Sequence, residues 1–190
     1  MLQAALFVAG SAALVYVSRK PLLAPGAHGF YRFFAWEAIL ALILWNLPVW
    51  FHDPFRPVQL ASWVLLVLSI YPVVAGVRLL RGVGRAGARP SVPGTDRIAD
   101  ANYAFENTSQ LVRVGIYRFI RHPLYASLLY LAWGVYLKRP ASLPGLGLVV
   151  AASACLWLTA RADEEECKRV FGSDYADYMR QTRMFVPYVI

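Results

Sequence analysis

The chain has 190 residues, of which 58% are hydrophobic and only 16% charged, and its mean hydropathy is +0.47. Soluble domains carry roughly 45–50% apolar residues, so an ordinary soluble domain is excluded and an all-α, polytopic membrane protein is expected. The net charge of +8 does not argue for nucleic acid, because the basic residues flank apolar runs, where anionic lipid headgroups attract them.

Five apolar runs occupy 2–17, 30–51, 58–80, 124–137 and 143–160. A membrane span needs about 20 residues, which the second, third and fifth runs supply. The first is slightly short. No basic segment precedes it, so it is expected to be a membrane helix and not a cleaved signal. The fourth is clearly short. It reaches the required length only by beginning near Ile116, inside the membrane boundary; otherwise the fourth and fifth runs form a shallow hairpin. With about five transmembrane helices, 16 Lys and Arg residues fall on one side and only Arg56, Lys138 and Arg139 on the other. The positive-inside bias then places the N-terminus outside and the C-terminus in the cytoplasm. An arrangement in which runs four and five never cross puts Lys138 and Arg139 on the cytoplasmic side too and satisfies the same bias. The expected organisation is three N-terminal transmembrane helices over 1–80, a cytoplasmic linker over 81–114, and a region 115–190 holding a helical hairpin and C-terminal cytoplasmic helices.

Within the second run Glu37 lies about 8 Å from the helix start, where it reaches headgroups or pairs with Arg32. The linker begins rich in Gly and Arg and is expected to be flexible. Its second half, with Tyr103 and Phe105, is expected to be ordered and to cover a site. Gly82-Val-Gly-Arg-Ala-Gly87 fits the dinucleotide-binding fingerprint in letters only, since a membrane helix and not a strand precedes it. Asn107-Thr-Ser109 is a formal glycosylation acceptor without meaning on a cytoplasmic side. Cys155 and Cys167, carried on one helix, would stand about 18 Å apart, too far for a disulfide. Beyond the fifth run, 163–170 reads as a helix continuing into water. Gly172 is a suitable C-cap and Ser173 an N-cap for a further short helix. There Tyr175, Tyr178, Met179 and Thr182 share one face, and Pro187 is expected to end it.

Two polar clusters carry the chemistry. A juxtamembrane anchor accounts for Arg118, Arg121 and a helix-starting Pro123. It does not account for His122, or for Tyr117 and Tyr125 on either side. The acids Asp163, Glu164, Glu165 and Glu166 can be read as a solvated run in which Glu166 pairs with Arg169. That leaves unexplained why four acids gather beside a negative lipid surface. A hairpin of runs four and five brings both clusters to one membrane face, where costly polar groups mark a binding site.

The residues Gly115, Tyr117, Arg121-His122-Pro123 and Tyr125, followed by an acidic pair, Phe171-Gly172, Tyr175, Tyr178 and Pro187, resemble a known pattern. It is that of the integral-membrane methyltransferase family that includes isoprenylcysteine carboxyl methyltransferase and its phospholipid methyltransferase-like bacterial relatives. The resemblance covers roughly 111–190 and makes 115–190 the catalytic region. Two departures bear on substrate identity. Asp163 stands where the family pattern has the first glutamate of its pair, and Ser127 where many members have glycine.

The resemblance implies S-adenosylmethionine bound between the last two membrane helices and the C-terminal segment, with Glu164, Arg121 and His122 as the catalytic set. Glu164 would accept from an ammonium or hydroxyls, Arg121 would pair with a carboxylate, and His122 would bond the nucleoside. Tyr117, Pro123, Tyr125, Tyr175 and Tyr178 would complete the cofactor site, the tyrosines as aromatic faces. No metal is implied. The acceptor would be hydrophobic or lipid-borne, entering from the bilayer to an active site at the cytoplasmic face, and isoprenylcysteine carboxylate-like. The alternatives are a phospholipid amine or small thiol, or a non-catalytic scaffold of the same fold. An ammonium acceptor must lose a proton, for which Glu164 or His122 would be the base.

Overall fold

The computed structural model describes residues 1–85 and 107–188. Among these residues all regular structure is helical. The chain runs through α1 (Leu2–Val17), a single turn α2 (Arg19–Leu22), α3 (His28–Asn46), a 3-10 turn (Leu47–Val49), α4 (Pro57–Leu68) and α5 (Ile70–Gly82). A second 3-10 turn (Gly115–Arg118) then leads into α6 (Pro123–Tyr136), α7 (Leu143–Phe171) and α8 (Ser173–Gln181). The five apolar runs all become helix. Three helical units are long and apolar enough to cross a membrane: His28–Val49, Pro57–Gly82 and Leu143–Phe171. The first and fourth runs give the shorter helices α1, of 16 residues, and α6, of 14.

α3 packs along α7, α6 lies against α4, α5 and α7, and α1 leans on α3. The α3–α6–α7 seam is built on small residues. Ala35, Ala126, Ala132, Ala152 and Ala160 have no exposed surface, which lets the backbones approach closely, as in membrane bundles. Leu42, Leu156, Val135 and Val149 fill the space between them. By contrast α1 buries no residue fully, and the outer faces of α4 and α5 expose Val64, Val67, Ile70 and Tyr71. Those faces suit lipid.

α7 is the spine. Ser142 caps it, its Oγ accepting from the Gly145 N–H at 3.1 Å, and Pro144 follows within the first turn. At 29 residues it is about 43 Å long, against a hydrocarbon thickness of roughly 30 Å. The helix continues through 163–170 as expected, but Glu164 and Glu166 there are buried in protein and not in water.

Several local expectations are corrected. Gly172, at φ 57, ends α7 and is also the cap of α8, so Ser173 is the first helical residue and not the N-cap. α8 stops at Gln181 because Thr182 turns extended, well before Pro187. That turn frees 182–185 to run beside 119–122, an arrangement no local signal announced. Glu37 accepts from Ser11 Oγ at 2.9 Å, tying α1 to α3. Arg32, its expected partner, lies instead over the Trp36 ring. Glu166 meets His28 and not Arg169. Cys155 and Cys167 are free thiols, as expected. Tyr103, Phe105, the first part of the linker and the last residues of the Gly82–Gly87 motif lie outside the described residues.

Candidate functional site

The turn entering α6 needs glycine. Gly115 has φ +60, and a Cβ there would come within 2.8 Å of Leu79. From it the chain passes through Tyr117 into 119–122, which pairs with the C-terminal segment. The Arg121 N–H donates to Arg183 O at 2.8 Å, the His122 N–H to Met184 O at 3.2 Å, and the Arg183 N–H to Phe119 O at 3.1 Å. This short parallel contact, centred on Ile120 and Arg183, fixes the backbone from which Arg121 and His122 project. Pro123 then starts α6, its missing N–H costing nothing at that position.

The two polar clusters do meet. Arg121 holds Glu164 Oε1 through Nε at 2.9 Å and Nη2 at 2.8 Å. Its Nη1 donates to Met179 O at 3.2 Å and to the Thr182 carbonyl. One guanidinium therefore joins α7 to the end of α8. Glu164 has no exposed surface. His122 stands between two acids, with Nδ1 3.3 Å from Asp163 Oδ2 and Nε2 3.4 Å from Glu164 Oε1. Its ring stacks on Tyr125 at 5.4 Å and tilts against Phe185. Burial opposes charge on this imidazole, but the Asp163 and Glu164 carboxylates outweigh it and raise its pKa above the ordinary 6.5. Asp163 and Glu164 thus favour the protonated form of His122.

α8 closes the other wall. Tyr178 Oη donates to Tyr117 O at 2.6 Å, and Tyr175 packs edge-on against Tyr178 at 5.8 Å. Burial pushes both phenols far above the usual tyrosine range, so both remain neutral donors. Arg121, His122, Pro123, Tyr117, Tyr125, Tyr175 and Tyr178 all line one cavity, with an empty volume of about 640 Å³ including its open mouth. Glu164 backs this wall through Arg121 and His122.

Of the residues expected at the cofactor site, Tyr117, Arg121, His122, Pro123, Tyr125, Tyr175 and Tyr178 line this cavity, and Glu164 is bonded to Arg121 behind it. Arg121 differs from expectation in one respect: its guanidinium is engaged with Glu164 and backbone carbonyls, which makes it first a brace for the site. The last residues of the linker also line the cavity, through Thr108, Leu111 and Val112, while the rest of its second half lies outside the described residues. Sequence reasoning missed His28, at the start of α3, which lines the same cavity. The signal was slight, a histidine just ahead of the second apolar run.

Two atoms here are buried without a hydrogen-bond partner, His122 Nε2 and Glu164 Oε2. The nearest cation to Glu164 Oε2 is Arg161 Nη1 at 3.5 Å. Buried polar atoms are normally satisfied; of these two residues His122 lines the cavity and Glu164 does not. The donor atoms of His28, Asp163 and Glu166 lie within 4.8 Å of one another. Both Glu166 oxygens, however, are bonded to His28, which makes the trio a hydrogen-bonded cap.

Compared with curated proteins, the chain is 29% identical over 85 residues to the protein-S-isoprenylcysteine O-methyltransferases of Mus musculus and Rattus norvegicus. The likeness is to a methyltransferase. It covers 44% of this chain and 29% of each relative's length, so it is distant and partial. No family model matches, and no solved structure does.

Proposed function

We propose that this protein is an integral-membrane methyltransferase that uses S-adenosylmethionine and methylates a hydrophobic or lipid-borne acceptor at the cytoplasmic face. The observation that carries the reading is the meeting of Arg121-His122 with Asp163-Glu164 in a tyrosine-walled cavity at the base of the α6–α7 hairpin. The distant likeness to isoprenylcysteine methyltransferases supports it. Asp163, although shorter than the glutamate of the family pattern, still reaches His122, so the substitution leaves the polar arrangement intact.

The residues fit the chemistry of that cofactor. Its ammonium and ribose hydroxyls are donors, and Glu164 Oε2 is a buried acceptor without a hydrogen bond. Its adenine needs flat apolar contact, and Tyr117, Tyr125, Tyr175 and Tyr178 supply rings around the cavity. When bound, the cofactor supplies an electrophilic methyl group for in-line displacement. This chain's residues orient the reactants and exclude water, contributions large enough to carry much of such a rate. Arg121 and His122 keep the Glu164 carboxylate in place. Tyr178, by bonding Tyr117 O, holds α8 over the cavity.

In the membrane, α3, the α4–α5 unit and α7 cross fully, while α1 and α6 are the short members of a five-helix arrangement with the cavity at the cytoplasmic end. The acceptor enters from the bilayer and is isoprenylcysteine carboxylate-like. Calorimetry of detergent-purified protein with S-adenosylmethionine tests the cofactor. Saturable binding is expected, weakened at least tenfold by Glu164→Gln and by His122→Ala. Transfer of labelled methyl to farnesylcysteine in vesicles tests the acceptor. A folded parent that binds no cofactor refutes the enzyme reading, while binding without transfer refutes only the acceptor.

A further inference from the structure

α3 starts without a capping side chain of its own, its N-cap being Ala27. The first N–H groups of a helix need acceptors, and here one comes from another helix. Glu166 of α7 accepts the His28 N–H through Oε1 at 3.1 Å and bonds His28 Nδ1 through Oε2 at 2.9 Å. Both side chains are buried, at 2% and 4% exposure, and the carboxylate also meets the positive end of the α3 dipole.

The same imidazole looks into the candidate cofactor cavity. Its Nδ1 is 4.0 Å from Asp163 Oδ1, while Asp163 Oδ2 is 3.3 Å from His122 Nδ1. Asp163 thus stands between two imidazoles, one from each half of the chain. Asp163 and Glu166 are three residues apart on α7 and share a face. Whatever holds Glu166 sets the rotation of that turn, and with it the direction of Asp163.

We propose that His28 is a positioning residue of the cavity: by gripping Glu166 it holds the α7 turn on which Asp163 meets His122. The proposal rests on the cofactor reading for its consequence but not for its geometry. It makes the N-terminal helices part of the site's construction, although the motif residues lie in the C-terminal half.

The chain has three histidines, so side-chain ¹⁵N spectra of the full-length protein in detergent resolve each. His52, 75% exposed in the loop after α3, serves as the internal reference. His28→Ala is expected to move the His122 ring resonances, leave those of His52, and weaken S-adenosylmethionine binding about tenfold, in keeping with the cost of misplacing a site group. Glu166→Gln should move His122 in the same way. His28→Asn places an N–H near the position of Nδ1 and should restore both readouts to within about threefold of the parent. Ser11→Ala, which cuts the Ser11–Glu37 bond between α1 and α3, is the control. It lowers the melting temperature without moving His122 or the affinity.

Unmoved His122 resonances in His28→Ala and Glu166→Gln, alongside a lowered melting temperature in His28→Ala, would overturn the proposal and leave His28 as a helix cap alone. If His28→Ala fails to fold, unmoved His122 resonances in Glu166→Gln overturn it. A parent that binds no cofactor refutes the methyltransferase reading, and the His122 resonances still decide the positioning claim.

Discussion

Replacing Arg121 by alanine removes one partner of a buried ion pair and leaves the other in place. Glu164 has no exposed surface and Arg121 only 10%, and two of the guanidinium nitrogens hold the same carboxylate oxygen. Breaking such a pair costs about 3–5 kcal/mol, because a buried charge is left uncompensated. His122 Nε2 lies 3.4 Å from the same oxygen and keeps one cation beside it, which argues for the lower end, about 3 kcal/mol. The Met179 and Thr182 carbonyls lose a donor as well, adding roughly 1 kcal/mol. A total near 4 kcal/mol consumes much of an ordinary stability of about 5–15 kcal/mol. The assay is equilibrium unfolding in mixed micelles, followed by circular dichroism. The double variant Arg121→Met with Glu164→Met separates fold from function. An apolar replacement of a buried pair is often neutral or stabilising, so the double variant should regain about 2–3 kcal/mol over the single one, while cofactor binding stays lost. An Arg121→Ala protein within 1 kcal/mol of the parent, or a double variant no more stable than the single, would refute this reasoning.

Other consequences follow from the same geometry. The His122 pKa is raised in the folded protein above its ordinary 6.5, so protonation favours the folded state. That contribution is complete below 6.5 and is lost as pH rises through the raised folded value. The unfolding free energy should therefore fall as pH rises above about 6.5, and His122→Gln should flatten the slope. Tyr178→Phe removes the 2.6 Å bond to Tyr117 O, costing about 0.5–1.5 kcal/mol in the same unfolding assay and loosening cofactor binding. Gly115→Ala forces a Cβ into a left-handed backbone 2.8 Å from Leu79. A loss of about 1–3 kcal/mol is expected, read as a lower melting temperature. At the opposite end of α6, Lys138 is 3% exposed, with its Nζ 3.4 Å from the Trp63 ring centre and without a hydrogen bond. The aromatic contact offsets only part of the desolvation cost, so Lys138→Met should leave stability unchanged or raise it by about 1 kcal/mol.

The parts of this protein that were legible in the sequence are those with local or chemical causes. Apolar length alone marked the runs that became α3, the α4–α5 unit and α7, because a hydrocarbon layer imposes one length on whatever crosses it. Gly172 announced the end of α7, and the tyrosine spacing announced the buried face of α8. That the two polar clusters share one end of the α6–α7 hairpin was legible through the cost of polar groups beside apolar runs; that Arg121 would commit its guanidinium to Glu164 itself was not.

What the sequence did not disclose depends on partners remote along the chain. Glu166 had an evident local partner in Arg169, three residues on, and that pairing would have been worth only a few tenths of a kcal/mol in water. The folded protein does better by burying Glu166 against the uncapped start of α3, where one carboxylate satisfies a backbone donor and an imidazole together. The same competition explains Glu37, which takes Ser11 across a helix interface in place of its neighbour Arg32. It explains the early end of α8 as well. Thr182 leaves the helix so that 182–185 can pair with 119–122, which brings the Thr182 carbonyl to Arg121. In each case a weak local bond yields to a long-range one, and for Glu166 and Thr182 the exchange involves a residue that braces an element around the cavity. The stability of this fold and the shape of its site are therefore set by the same few polar contacts, so a variant that breaks one of them must be read with both a binding and an unfolding measurement.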